Sequence, residues 1–461
     1  MKKNDLRKNI GVLLFVFILM FAGLILYLGY VDIVYGERWY ATPYNPRIQE
    51  LKTNVASGDI LDRTGKKLAY SDNGKRRYAN DKSVRTAVAH IVGDEYGFSN
   101  GAQVLFARYL YGSGLDNIGR ITQLLSGDGI KGSDVRLTID SALCAAAADA
   151  IGGSGGAVVV MNYKTGEILA STSSPSFDPS NMKKFKEGGG TSELVNRAFC
   201  GLYPPGSTFK LITAAALIEN GKKDFTAECT GSVEIDSQRI SCTGEHGKIG
   251  LEEALAHSCN VYFARAASEI GAGALKAEAE KFLFNKQFLF GDLRPAKSVF
   301  ETAGNAPDEA RAAIGQHHDL VTPLHACMIA ACIANGGVMM EPKLLLSVSG
   351  DTGEVFRFAP TVLAKPMSDT GELKRMMLSV VRSGTGTAAA IKGYKVAGKT
   401  GTAQVQNSDG SISNDAWFVG FIDDAKHPIA VAVVMEKSGS GGSKAAPAAQ
   451  KVLKKALALG Y

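Results

Sequence analysis

A chain of 461 residues is too long for one ordinary domain, so two or three are expected. With 45% hydrophobic and 21% charged residues the composition is globular, and a net charge of +6 is spread too thinly to indicate a nucleic-acid binder. Seven cysteines, an odd number without a Cys-x-x-Cys pair, exclude a disulfide-stapled scaffold and do not call for a metal centre or other cofactor. Cys229 and Cys242 bracket a short polar stretch, and a disulfide between them stays open.

Residues 1–9 carry Lys2, Lys3, Arg7 and Lys8 against the single acid Asp5. Residues 10–31 then hold no charge, and about 20 apolar residues in helical form cross a bilayer. A cleaved signal peptide would have a shorter apolar stretch followed by a small-residue cleavage site, whereas this run closes on Tyr27-Leu28-Gly29-Tyr30. A retained single-pass anchor is expected, with residues 1–9 as a cytoplasmic tail and the rest of the chain outside the cell membrane.

Residues 32–133 are polar, with short strand-like pieces and glycine-rich turns. Gly58-Asp59-Ile60-Leu61-Asp62-Arg63-Thr64-Gly65 predicts a strand running into a turn. Nothing in this stretch carries chemistry, and it reads as a small β-rich pedestal. Residues 134–461 are expected to form the working domain. They begin with a strand and helix entry at 134–140 and an alanine-rich helix to residue 151. Two strands, 155–161 and 167–171, predict a hairpin. Helical segments are expected from the Ser207 region to about residue 334. Strands follow at 395–405, 416–422 and 429–436, then an amphipathic helix at 445–459. Strands at both ends of a helical middle predict an α/β (α+β) fold, an antiparallel sheet flanked by helices.

The chemistry centres on Tyr203-Pro204-Pro205-Gly206-Ser207-Thr208-Phe209-Lys210, followed by a run of helix formers apolar on nearly every face. Proline fits the first turn of a helix, so Ser207 stands at the start of a buried helix with Lys210 on the same face. A serine nucleophile needs a base, and a lysine serves if burial keeps it neutral. Two further patterns follow: Ser258-Cys259-Asn260 and Lys399-Thr400-Gly401. Second copies at Ser180–Lys183, Ser71–Asn73 and Lys164–Gly166 lie in loop, pedestal and tight-turn contexts and are taken as structural. In the first set Ser207 attacks a carbonyl and Lys210 takes its proton. Ser258 relays a proton to the leaving amine, and Asn260 holds a peptide group. Lys399 supplies fixed positive charge. Thr400 and Thr402 add hydroxyls, and Gly398 and Gly401 leave a strand edge clear for an extended substrate. The N–H groups of Ser207 and Thr402 form an oxyanion hole.

With these residues in view the chain resembles the class B penicillin-binding proteins, membrane-anchored peptidoglycan D,D-transpeptidases. The resemblance includes Leu137-Thr138-Ile139-Asp140, Asn196-Arg197-Ala198, Thr322-Pro323-Leu324, Ala397 to Ala403 and Ala416-Trp417-Phe418-Val419-Gly420. It implies a penicillin-binding-protein/serine β-lactamase-like transpeptidase domain. It also implies acylation of Ser207 by D-Ala-D-Ala stem peptides on lipid-linked precursor strands, inhibition by β-lactam antibiotics, and a polytopic membrane glycosyltransferase as partner. Two departures stand out: Ser57 where the pedestal motif has arginine, and His317 where a glycine follows Gly315-Gln316. His317, His318 and His325 lack a completing carboxylate or thiol at ligand spacing, so no metal is assigned to them. The rival readings are a carboxypeptidase or β-lactamase using the same machinery, and a non-catalytic sensor or wall scaffold.

Overall fold

The computed structural model describes residues 3–40, 50, 52, 55–112, 130–302, 304–350 and 353–461. Lys2 of the basic tail and residues 41–49, 51, 53–54 and 113–129 of the expected pedestal lie outside the described residues. The apolar run forms one helix, Lys3–Tyr40, and its Lys8–Val31 stretch is long and apolar enough to cross a membrane. Phe15, Leu24 and Ile25 are among the many exposed apolar side chains of that stretch, which suits a hydrocarbon surrounding.

A five-stranded antiparallel sheet organises the remainder. Its order is Val396–Gln406, Ile412–Ile422, Ile429–Met435, Gly156–Asn162, Ile168–Ser174. The last strands of the chain thus join the first hairpin, with Val431 opposite Val160. The central strands are buried along their length, which accounts for their unbroken apolar runs. The wholly buried helix Pro323–Ala334 packs on the sheet, capped by the Thr322 hydroxyl and opened by Pro323. Ser141–Ile151 and Ala445–Ala458 pack together and cover the sheet elsewhere. Asp140 caps the first of them through the N–H groups of Ala142 and Leu143.

Between residues 226 and 250 the structure differs from the helical expectation. Thr226–Cys229 pairs with Gly247–Gly250, and Ser232–Ile235 with Gln238–Ser241. Four-residue strands rich in polar side chains are too short for a period of two to stand out, and the tight turn rests on positive φ at Asp236 and Ser237.

A second sheet crosses the expected boundary at 133/134. Its six strands run Gly353–Arg357, Leu345–Gly350, Asp134–Leu137, Ile60–Leu61, Lys67–Asp72, Lys75–Tyr78. Asp62, fully buried, ties the pedestal turn to the next domain. One of its carboxylate oxygens accepts the Ser141 hydroxyl at 2.6 Å, and the other accepts from Thr64 and the Lys66 N–H. Burial pushes its pKa up, but the hydroxyls of Ser141 and Thr64 and the backbone donors outweigh this and hold it below the ordinary value.

Asp62→Ala leaves these donors unpartnered and is expected to destabilise the protein by about 3 kcal/mol, read as a lower thermal midpoint at pH 7. Because the folded-state pKa is depressed, the wild-type advantage is full above about pH 4. It shrinks as pH falls through the lowered value.

Candidate active site

The Ser207 turn is pinned from three sides. Tyr203 and Val321 exchange backbone hydrogen bonds at 3.1 and 2.8 Å. The Gly206 N–H donates to the Gly315 carbonyl at 2.9 Å, and the Trp417 indole donates to the Pro204 carbonyl at 3.1 Å. Gly206 sits at φ +52°, and a Cβ there would lie 2.8 Å from the Thr402 carbonyl, so the turn demands glycine. A 3-10 turn, Gly206–Thr208, leads into the helix Lys210–Glu219, whose residues through Leu217 are all buried. Phe209 stacks on Phe300 at 5.0 Å and meets Phe284 edge-on at 5.6 Å, anchoring the helix start.

Lys210 is wholly buried. Its amino group donates to the Ser258 carbonyl at 2.7 Å, to Asn260 Oδ1 at 2.6 Å and to Ser258 Oγ at 3.3 Å. Lys399 is also wholly buried and donates to the same Ser258 Oγ at 2.9 Å and to the Thr400 carbonyl at 2.8 Å. Among the described residues neither lysine pairs with a carboxylate. Burial lowers Lys210 to about 7, with Cys242 and Cys259 opposing. Burial lowers Lys399 well below its ordinary value, and the neighbouring Lys210 lowers it further. A permanent charge on Lys399, the expectation from sequence, conflicts with this setting, because two buried ammonium groups around one hydroxyl repel each other. Ser258 holds its place between them at φ +58°, a left-handed backbone uncommon outside glycine.

Val396–Gln406 is an edge strand, and Thr400, Gly401 and Thr402 border a cleft of about 840 Å³ with Ser207, Ser258 and Asn260. The Thr402 carbonyl accepts the Gln316 amide at 3.3 Å on the free side of the strand. Its own N–H leaves the strand on that side too, towards the Ser207 turn. The Thr400 hydroxyl meets Thr385 Oγ1 at 2.6 Å. The glycines make room inward: a Cβ on Gly401 would lie 2.9 Å from Thr208 Cγ2 and 3.0 Å from Trp417 Cβ, and one on Gly398 would strike the Phe418 ring. They let the Ser207 turn and the next strand close on this edge, a packing role the sequence reading assigned to substrate access instead.

The eight sequence-predicted residues therefore surround one cleft or the lysine pair behind it. Sequence reasoning missed Gln316, Thr385, Ser241 and Arg311, which also line or brace the cleft. Gln316 had a signal, its place before the departing His317; Thr385 and Ser241 had none. The second motif copies lie elsewhere: Asn162 Oδ1 caps the turn at Lys164 and Thr165, Asp178 holds Ser180, and Ser71 bonds the Ser57 carbonyl. His325 is buried against the Phe282 carbonyl, and His317 packs on His318.

The penicillin-binding protein transpeptidase domain family matches residues 156–454. The chain belongs to that family. It is 32% identical over 374 residues to the peptidoglycan D,D-transpeptidase PbpA of Mycobacterium tuberculosis, covering 73% of this chain and 75% of the relative. It is 31% identical over 363 residues to the peptidoglycan D,D-transpeptidase MrdA of Acinetobacter baumannii, covering 69% and 53%. Among solved structures, the D,D-transpeptidase domain of a peptidoglycan glycosyltransferase from Eggerthella lenta superposes with TM-score 0.78 at 33% identity, covering 88% of this chain and 99% of that one. The imipenem acyl-enzyme complex of the mycobacterial penicillin-binding protein A gives TM-score 0.78 at 28% identity, covering 88% and 100%. The family is thus one in which a β-lactam acyl-enzyme has been captured on this fold.

Gly206→Ala forces a side chain into the left-handed region against Thr402. It is expected to destabilise by about 1–2 kcal/mol and to slow acylation of Ser207 at least about tenfold, measured as the rate of penicillin labelling with an unchanged far-ultraviolet circular dichroism spectrum.

Proposed function

We propose that the chain is a peptidoglycan D,D-transpeptidase in which Ser207 carries the acyl group. The observation that supports this most strongly is the single Ser258 hydroxyl held by two buried lysines beside the Ser207 turn. In this reading Ser207 Oγ attacks the carbonyl carbon of the penultimate D-Ala of a stem peptide, and its proton passes to Lys210. The N–H groups of Ser207 and Thr402 stabilise the tetrahedral oxyanion. Ser258 passes a proton to the leaving D-Ala amine as the C–N bond breaks and the ester remains. An acceptor amine then attacks that ester, forms the cross-link and restores the Ser207 hydroxyl. Mutual repulsion disfavours charge on both lysines at once, and the carboxylate of the incoming peptide favours the charge on Lys399, leaving Lys210 free as base. Asn260 holds the donor's peptide group, and Thr400, Gly401 and Thr402 line it along the strand edge.

The apolar helix supports a single-pass anchor, and the basic residues before it support a cytoplasmic N-terminus with the working domain on the outer side. A polytopic membrane glycosyltransferase that supplies the glycan strands is the partner this placement favours.

Full-length protein and Ser207→Ala are compared by fluorescent-penicillin labelling with intact mass, then with a donor stem peptide and an acceptor amine. One adduct per wild-type chain, none in the variant and a cross-linked product are expected. Rapid nitrocefin turnover with hydrolysed product alone would replace the transpeptidase by a hydrolase. A folded wild-type chain that forms no adduct would leave a scaffold.

A further inference from the structure

Three thiols and one imidazole converge beside the site from separate segments of the chain. Cys229 ends a strand, Cys242 follows another, His246 lies in the connection to the next, and Cys259 caps the helix Asn260–Ile270. Their sulfur and nitrogen atoms all lie within 4.8 Å of one another. The spacing, Cys-x12-Cys-x3-His-x12-Cys, contains no close cysteine pair, so the sequence does not announce it.

The distances discriminate between explanations. A tetrahedral zinc ion with bonds of about 2.3 Å to sulfur and about 2.0 Å to nitrogen implies sulfur–sulfur edges of roughly 3.8 Å and sulfur–nitrogen edges of roughly 3.5 Å. Cys242 and Cys259 Sγ are 3.8 Å apart, and His246 Nδ1 is 3.4 Å from Cys229 Sγ and 3.6 Å from Cys242 Sγ. A disulfide requires about 2.05 Å, and all three cysteines are free, which also answers the question of a Cys229–Cys242 bridge in this structure. Thiols buried merely as small apolar residues would not gather around an imidazole, nor attract amide donors. Here the Asn260 N–H points to Cys242 Sγ at 3.2 Å and the Tyr262 N–H to Cys259 Sγ at 3.4 Å. Backbone donors of this kind stabilise metal-bound thiolates by offsetting their negative charge.

We propose that Cys229, Cys242, His246 and Cys259 bind one zinc ion as a structural site. A set of three thiolates and one imidazole is closed and tetrahedral, leaving no open position for catalysis. Cys229 and Cys259 are buried while Cys242 and His246 are half-buried, so the ion enters from the surface. It fastens both small hairpins to the start of the helix that presents Asn260. Cys259 stands between Ser258 and Asn260, so the ion also holds Ser258 in its left-handed conformation, a consequence that rests on the function proposed above.

The test is zinc content by mass spectrometry of the full-length chain purified in detergent without chelator, and the absorption spectrum after exchange into cobalt(II). About one zinc per chain and a thiolate-to-cobalt charge-transfer band with tetrahedral ligand-field bands are expected. Cys242→Ser or His246→Ala should lower bound zinc at least about tenfold, whereas Cys200→Ser, outside the cluster, should not. If the variants do not fold, the wild-type cobalt spectrum decides alone. A zinc-free chain after incubation with zinc, a cobalt spectrum without the charge-transfer band, or a mass lower by two hydrogens with lost thiol titration would overturn the proposal. A zinc-loaded chain that penicillin does not label would instead overturn the function and leave the site standing.

Discussion

Two buried lysines joined through one serine hydroxyl are the constraint on which the site depends. Removing an ammonium group from water costs several kcal/mol even after relaxation, and a second one nearby adds repulsion. A carboxylate would relieve both costs, but among the described residues Lys210 and Lys399 have only neutral acceptors: Ser258, Asn260 and the Thr400 carbonyl. The cheapest relief is to release a proton. A fold that enforces this geometry therefore favours a neutral amine near pH 7 beside the Ser258 hydroxyl, behind the cleft that Ser207 lines, which is the setting a base for Ser207 requires.

The enforcing elements are rigid and come from distant parts of the chain. The Lys210 helix is buried nearly all round, so its lysine cannot turn to solvent. Lys399 lies on an edge strand, yet Gly401 lets that strand close on Thr208 and Trp417 until its side chain is sealed. Ser258 is fixed by a strained backbone before the helix Asn260–Ile270. Three elements separated by long stretches of sequence thus meet at one oxygen atom, and the sheet and the helix Pro323–Ala334 supply the stiff platform.

Much of this is legible in the sequence for specific reasons. The membrane helix follows from one uncharged run, and the Ser207 helix from prolines preceding an apolar stretch. Ser207, Lys210, Ser258, Asn260 and Lys399 were legible because their chemistry requires particular side chains at short spacings. Partnerships over long distances were not. That Leu345–Gly350 would pair with Asp134–Leu137 has no local signature, nor do the polar four-residue strands between 226 and 250. The thiol–imidazole cluster is hidden for the same reason, since its members become neighbours only once those strands fold. Glycines 398 and 401 stand out in the sequence, but whether they clear a path outward or allow packing inward depends on the Phe418 ring facing one and on Thr208 and the Trp417 Cβ facing the other.

The most direct test of the lysine pair is the pH dependence of the second-order rate constant for acylation of Ser207 by a penicillin. A protonated Lys210 cannot accept the serine proton, so the rate should rise from acid pH and reach half its plateau at about 7, where burial places this lysine. The limb should vanish, along with nearly all the rate, in Lys210→Met. A rate that stays flat across neutral pH, or an unchanged limb in the variant, would show that Lys210 is not the base.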